Sequence, residues 1–188
     1  WVKVGLELFT NEGPDFLSSL RDQGRKIFLD LKYHDIPVTM AKACFQATKT
    51  GAELISVHAC AGSKALKLSN NYVLEASSKF NMKTPTLLAI TVLTSWDDDS
   101  FNEELCIKEK ISARVERLAS LAFSSGIGGC VCSPLEVNNL RTIYPESFQI
   151  ITPGIRLKGS SLNDQSRVMT PSEALKSGSS KIVVGRSI

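Results

Sequence analysis

The chain has 188 residues, 43% hydrophobic and 22% charged, with a formal net charge of +3. Its mean hydropathy is close to zero, as in an ordinary globular domain, and no run approaches the roughly 18 apolar residues that a bilayer span needs. Basic residues are scattered among acidic ones, which argues against a nucleic-acid stripe, and the opening WVKVGLELF lacks a signal-peptide cleavage site.

Short apolar, β-branched runs recur along the chain. In order they are Val2–Phe9, Lys26–Lys32, Leu54–Ala59, Leu87–Leu93, Ile127–Ser133, Phe148–Pro153 and Lys181–Arg186. Most are almost continuously hydrophobic, as expected for parallel strands covered on both faces. Helix punctuation fills the intervals. Pro14 opens a helix that Gly24 ends, and Pro37 stands just inside the next, which runs through Ala41, Cys44 and Ala47 towards Gly51. Residues 63–80 fit a helix less well, because Ser69-Asn70-Asn71 interrupts the pattern. Glu103–Ser124 carries Leu105, Ile111, Val115, Leu118 and Ala122 at helical spacing and is expected to be the longest helix. Ser133-Pro134-Leu135-Glu136 and Thr170-Pro171-Ser172-Glu173 both have the form of a capping box.

Strands alternating with helices in this way imply βαβ units and a parallel sheet. An open doubly wound sheet and a closed eight-stranded barrel both fit. No glycine-rich dinucleotide fingerprint follows the first strand, and polar residues gather at many strand ends, which favours a single α/β barrel domain spanning residues 1–188. A complete (β/α)8 barrel needs one more β/α unit ahead of Trp1 and a closing helix after Ile188, so both are expected to be missing from this chain.

The five cysteines are Cys44, Cys60, Cys106, Cys130 and Cys132. An odd number without framework spacing argues against a disulfide scaffold. Cys130 and Cys132 share one face of an apolar strand with no companion pair, and read as buried thiols rather than zinc ligands.

The densest polar cluster is Asp30-Leu31-Lys32-Tyr33-His34-Asp35-Ile36-Pro37. On a strand Asp30 and Lys32 point to the same side, and Asp35 falls in the turn beyond. A surface ion pair is the plainer interpretation, but charges at the mouth of a buried strand must be paired or must meet a ligand. Lys3 lies between Val2 and Val4 in the first strand, a neighbour of the Asp30 strand in a barrel. Anion binding is written at the other end of the chain. Gly185 and Arg186 close the last strand, and Thr152-Pro153-Gly154-Ile155-Arg156 opens a long polar loop that contains Gln165. Arginine suits bidentate phosphate contacts, glycine admits close backbone approach, and long loops are often lids.

Taken together, Lys3-Val4-Gly5, the D-x-K-x-x-D-I-P run from Asp30 to Pro37, Leu93-Thr94-Ser95, Pro153-Gly154-Ile155-Arg156 and Val184-Gly185-Arg186 follow a known order. The chain resembles the bacterial orotidine 5′-phosphate decarboxylases over essentially its whole length. The resemblance implies a TIM barrel of the ribulose-phosphate-binding type. It implies decarboxylation of orotidine 5′-monophosphate to uridine 5′-monophosphate in pyrimidine biosynthesis, with no metal and no organic cofactor, in the cytoplasm. Lys32 is then the proton donor to C6, in a Lys-Asp-Lys-Asp network with Lys3, Asp30 and Asp35. Asp35, Ile36 and Thr39 would reach the partner's site in a homodimer. Thr94 corresponds to a residue near the base. Arg156, Gln165, Gly185 and Arg186 correspond to the ligand-binding set around the closing loop, with Gln165 and Arg186 on the phosphate. Neither nucleic acid nor membrane is an expected partner.

Sister enzymes of the same barrel group, hexulose-phosphate synthases and keto-gulonate-phosphate decarboxylases, share D-x-K-x-x-D. They resemble magnesium enzymes with a glutamate where this chain has Lys3, whose ammonium would repel the ion. A phosphate-ligand sensor without catalysis would be expected to have broken the Lys-Asp-Lys-Asp set, which is intact.

Overall fold

The computed structural model describes residues 1–157 and 168–185. The chain divides into two compact units, Trp1–Ala89 with Ser124–Ile127, and Ile90–Phe123 with Gly128–Ile188.

The first unit contains strands β1 (Val2–Gly5), β2 (Ile27–Tyr33) and β3 (Leu54–His58), with β4 (Thr86–Ile90) ending at its boundary. They lie side by side in chain order, and the β1–β2 and β2–β3 pairs are parallel. Between them run α1 (Leu6–Asp22), α2 (Pro37–Lys49) and α3 (Ser63–Phe80), with a 3-10 turn at Ala59–Ala61. Helices α2 and α3 pack on each other. Their buried positions include Ala41, Cys44, Ala47, Ala65 and Ser69, small side chains that let two helices approach closely. Pro37 is at the start of α2, as its missing N–H and fixed φ favour.

The second unit contains α4 (Asp98–Leu105), α5 (Ile111–Ser124), β5 (Gly129–Val131), α6 (Val137–Ile143), β6 (Gln149–Thr152), α7 (Pro171–Lys176) and β7 (Lys181–Ile182). Strands β5, β6 and β7 are again adjacent, parallel and in chain order. Phe123, Tyr144 and Phe148 stack with ring centroids 4.9–5.5 Å apart. Arg141 pins the strand ends from outside. Its guanidinium donates to the carbonyls of Pro145, Phe148 and Gly178 and to the Ser180 hydroxyl.

Four local expectations need correction. The first strand stops at Gly5 rather than Phe9, because Leu6 and Glu7 are good helix formers and a short alternating run does not distinguish strand from helix. Helix α1 then bends at Gly13 (φ 70, ψ −170), which is where Pro14 restarts it. The expected long helix at Glu103–Ser124 is two helices. Cys106 takes a left-handed cap (φ 53) after α4, and the Asp98 side chain accepts the Ile111 N–H at the start of α5. Residues 63–80 form the longest regular helix instead, since Ser69 is small enough to bury. At Ser133 the expected capping box is a turn, in which Glu136 N–H donates to the Ser133 carbonyl and α6 starts later. The box at Thr170 forms in full: the Thr170 hydroxyl takes the Glu173 N–H, and the Glu173 carboxylate takes the Thr170 N–H.

Cys44, Cys130 and Cys132 are buried free thiols. Among the described residues no helix is long and apolar enough to cross a membrane.

Candidate functional site

Strands β1 and β2 bring the first charged residues together. In their parallel register Gly5 lies opposite Asp30, so Lys3 enters from the neighbouring strand two residues earlier. The Lys3 ammonium lies 3.3 Å from Asp30 Oδ2, and the Lys32 ammonium donates to the same oxygen at 2.9 Å. The Asp30 side chain is only 10% exposed, while those of Lys3 and Lys32 keep about a third of their surface in contact with solvent. A Cβ on Gly5 would stand 3.0 Å from the Lys3 ammonium, so glycine here leaves room for the lysine to reach Asp30. Lys3 and Gly5 also line an open cleft with Leu6, Glu7, Leu8 and Asn11.

The electrostatics follow from this geometry. Burial pushes the Asp30 carboxyl up, but the Lys32 ammonium, Lys3 and the Ser56 hydroxyl outweigh it and hold the group below its ordinary value of 3.8. Asp30 is therefore a carboxylate at neutral pH.

Lys32 is not in ordinary strand geometry. Its φ is 52, and the β2–β3 register shifts between Leu29 and Tyr33. A non-glycine residue in the left-handed region carries strain of about 1–2 kcal/mol, so something must hold it there. Ser56 in β3 meets it: the Lys32 N–H donates to the Ser56 hydroxyl, which itself donates to Asp30 Oδ1, both at 2.9 Å. Sequence reasoning missed Ser56. The signal was a lone hydroxyl in the apolar run Leu54-Ile55-Ser56-Val57, where a buried polar group needs partners.

His58 ends β3, with its ring 5.3 Å from that of His34. Burial lowers its pKa first, the charges of His34 and Lys32 lower it further, and Asp30 opposes them.

Asp35 is not drawn into this array within the chain. It is exposed, accepts the Ile36 N–H at 2.7 Å, and forms no salt bridge among the described residues. Ile36, 69% exposed, and the exposed Thr39 stand beside it at the start of α2.

The other expected site residues lie in the second unit. Thr94 is buried in the turn after β4. Arg156 is buried after β6. Its guanidinium donates to the Ile155 carbonyl at 2.9 Å, while its Nε is enclosed with no hydrogen-bond partner among the described residues. Arg156 N–H donates to the Met169 carbonyl and Met169 N–H to that of Gly154, so the two stems of the polar loop are tied together. Gly154 takes φ 77 at this turn, a conformation that suits glycine. Gly185 is exposed with open space where a side chain would stand. Gln165 and Arg186 lie outside the described residues. Among those described, no group of three or more His, Cys, Asp or Glu stands ready to hold a metal ion.

Parallel strands in chain order that alternate with helices, with a lysine–aspartate–lysine array on β1 and β2, define an α/β protein of the barrel-forming class. The model of the orotidine 5′-phosphate decarboxylase / HUMPS family matches residues 1–188, and the chain belongs to that family. It is 61% identical over 188 residues to an orotidine 5′-phosphate decarboxylase of Prochlorococcus marinus strain NATL1A, covering 100% of this chain and 78% of that protein. A protein of the same description from Synechococcus sp. strain WH7803 is 55% identical over the whole chain and 77% of its own length. The crystal structure of orotidine 5′-phosphate decarboxylase from Lactobacillus acidophilus superposes with a TM-score of 0.86 at 41% identity, over 99% of this chain and 78% of that one. The (β/α)8 barrel class expected from the sequence is borne out by this likeness.

Proposed function

We propose that the protein decarboxylates orotidine 5′-monophosphate to uridine 5′-monophosphate and CO₂, as a step of pyrimidine biosynthesis. The observation that carries this reading is the pair of ammonium groups on one buried carboxylate oxygen, Lys3 and Lys32 on Asp30 Oδ2. Family membership agrees with it.

Loss of CO₂ leaves an electron pair on C6 of the pyrimidine. The Lys32 ammonium stabilises that carbanion and then donates its proton to it, forming the C6–H bond. Lys3 provides a second fixed positive charge. Asp30 keeps both lysines oriented, and its carboxylate faces the carboxylate of the substrate. At 4 Å and an effective dielectric of 20 such a pair repels by roughly 4 kcal/mol. The repulsion disappears as CO₂ departs, so the array favours the transition state over the bound substrate.

Thr94 contacts the base. Arg156, Gln165, Gly185 and Arg186 bind the rest of the nucleotide, with Gln165 and Arg186 on the phosphate. Binding energy from this remote anion holds the base in register with Lys32. Asp35, Ile36 and Thr39 serve the site of a second copy in a homodimer, a reading that agrees with their joint exposure. The reaction needs neither metal nor organic cofactor, because protonated lysine supplies both the charge and the proton. A cytoplasmic location belongs to the same reading.

The test is the loss of orotidylate ultraviolet absorbance with purified protein, before and after EDTA treatment. Turnover unchanged by EDTA is expected. No turnover at all would overturn the decarboxylase reading, and turnover lost to EDTA and restored by Mg²⁺ would overturn the metal-free one.

A further inference from the structure

Ser56 is fully buried in β3 and has two partners, each a member of the charged array. Its hydroxyl proton goes to Asp30 Oδ1, and its oxygen lone pair takes the Lys32 backbone N–H. Neither partner is held elsewhere in the same way. Asp30 Oδ2 is committed to the two ammonium groups, so Oδ1 is the handle by which the carboxylate plane is fixed. Lys32 sits where the β2–β3 register shifts and its backbone is left-handed, so its N–H meets a side-chain acceptor.

We propose that Ser56 is a positioning residue for the decarboxylation: its one hydroxyl locks the rotamer of Asp30 and the displaced backbone of Lys32 in a single arrangement. The inference rests on the reading that Asp30 and Lys32 carry the chemistry. Ser56 bonds the Asp30 carboxylate and the Lys32 backbone rather than the ammonium groups, and it acts through these two neighbours. Removing the hydroxyl frees the Asp30 carboxylate to rotate about its last torsion, strips a donor from the ionised form, and leaves the half-buried Lys32 N–H without its acceptor. The ammonium of Lys32 then loses the fixed geometry that a near-attack arrangement requires, and small misplacements cost large factors in rate. Ground-state binding depends mainly on the phosphate and base contacts, so affinity should change little.

The experiment uses the full chain with Ser56→Ala, Ser56→Thr and Ser56→Cys. It measures kcat and KM on orotidine 5′-monophosphate per active site, and the titration midpoint of the Asp30 carboxyl by ¹³C NMR. Ser56→Ala is expected to lower kcat about 10- to 100-fold with KM within about threefold, the size set by one hydrogen bond to a charged group. The Asp30 midpoint should rise. Ser56→Thr, which keeps the hydroxyl, should recover most of kcat and the original midpoint. Should threonine overpack the site and fail to fold, Ser56→Cys decides: it keeps the shape but bonds weakly, so it should behave as the alanine variant does. Wild-type kcat and an unchanged Asp30 midpoint in Ser56→Ala would overturn the proposal. So would a loss confined to the fraction of folded sites. Inactivity of the unsubstituted chain, or a Lys32→Ala variant as fast as wild type, would instead sink the functional reading, and the Asp30 titration would still decide the role of Ser56.

Discussion

The ammonium groups of Lys3 and Lys32 converge on one atom, Asp30 Oδ2, at 3.3 and 2.9 Å. Neither lysine makes sense there alone. The buried carboxylate is kept ionised by the two charges, and the two like charges are kept close by the carboxylate. Removing one member therefore disturbs the other two.

That dependence sets the first prediction. Lys32→Ala should lower kcat by at least about 10²–10⁴, the usual contribution of a positioned proton donor. Lys3→Ala should also lower kcat, but leave the pH dependence of proton donation to Lys32. Single-turnover absorbance decay separates these effects from product release. If Lys32→Ala leaves the chemical step intact, the proton comes from elsewhere.

A second prediction concerns acid stability. The folded-state pKa of Asp30 lies below its ordinary value of 3.8. The ionised form is thus favoured in the folded chain, and the associated stabilisation is complete above that value. It is lost as pH falls below 3.8 and through the lower folded pKa. Urea unfolding of the wild type should show this component as a loss of stability on going from pH 5 to strong acid. Asp30→Asn should lack it, so the gap between the two proteins should narrow towards low pH. A gap that widens would reverse the sign of the argument.

The third concerns the phosphate. Arg186→Ala should weaken binding of the nucleotide by about 1.5–3 kcal/mol, the value of a charge-assisted contact. The dephosphorylated nucleoside already lacks that contact and should hardly notice the change. Kinetics on the two substrates provide the measurement, and equal damage to both would assign Arg186 to the fold or the base.

Arg141 gives a purely structural prediction. One guanidinium reaches three carbonyls and a hydroxyl, a fork that a lysine ammonium does not reproduce. Arg141→Lys should cost about 1–3 kcal/mol in chemical denaturation through the acceptors left short of a donor. Activity per folded molecule should stay at the wild-type value.

The dimer reading is tested by mixing. Lys32→Ala and Asp35→Ala chains should each be inactive alone if Asp35 serves the neighbouring site. Refolded together in equal amounts, they form hybrids with one intact site, and about a quarter of wild-type activity should return. Wild-type chains taken through the same refolding supply the control. Hybrids that form and stay inactive would put Asp35 in its own chain's site.

Composition and periodicity by themselves determined the alternation of strands and helices and the helix starts at Pro37 and Thr170, and they put Lys32 within reach of Asp30, although Lys32 meets it from a left-handed backbone rather than from a regular pleat. These are local properties: proline geometry and capping chemistry act within a few residues. The barrel order expected from the sequence, in which the first strand neighbours that of Asp30, put Lys3 within reach of the same array. Other features escaped the pattern, some of them local and some set by chain segments far apart. The strand that stops at Gly5 and the helix that breaks at Cys106 were decided by backbone conformations that a hydrophobic pattern does not record. Ser56 shows the limit most clearly. It is 26 residues from Asp30 and 24 from Lys32, and its apolar neighbours in the run signal a buried hydroxyl that needs partners without saying which partners those are. Only the lateral register of β2 and β3, with its shift after Leu29, sets that hydroxyl between a carboxylate and a left-handed lysine, because hydrogen bonding across strands is fixed by tertiary pairing and not by sequence neighbours.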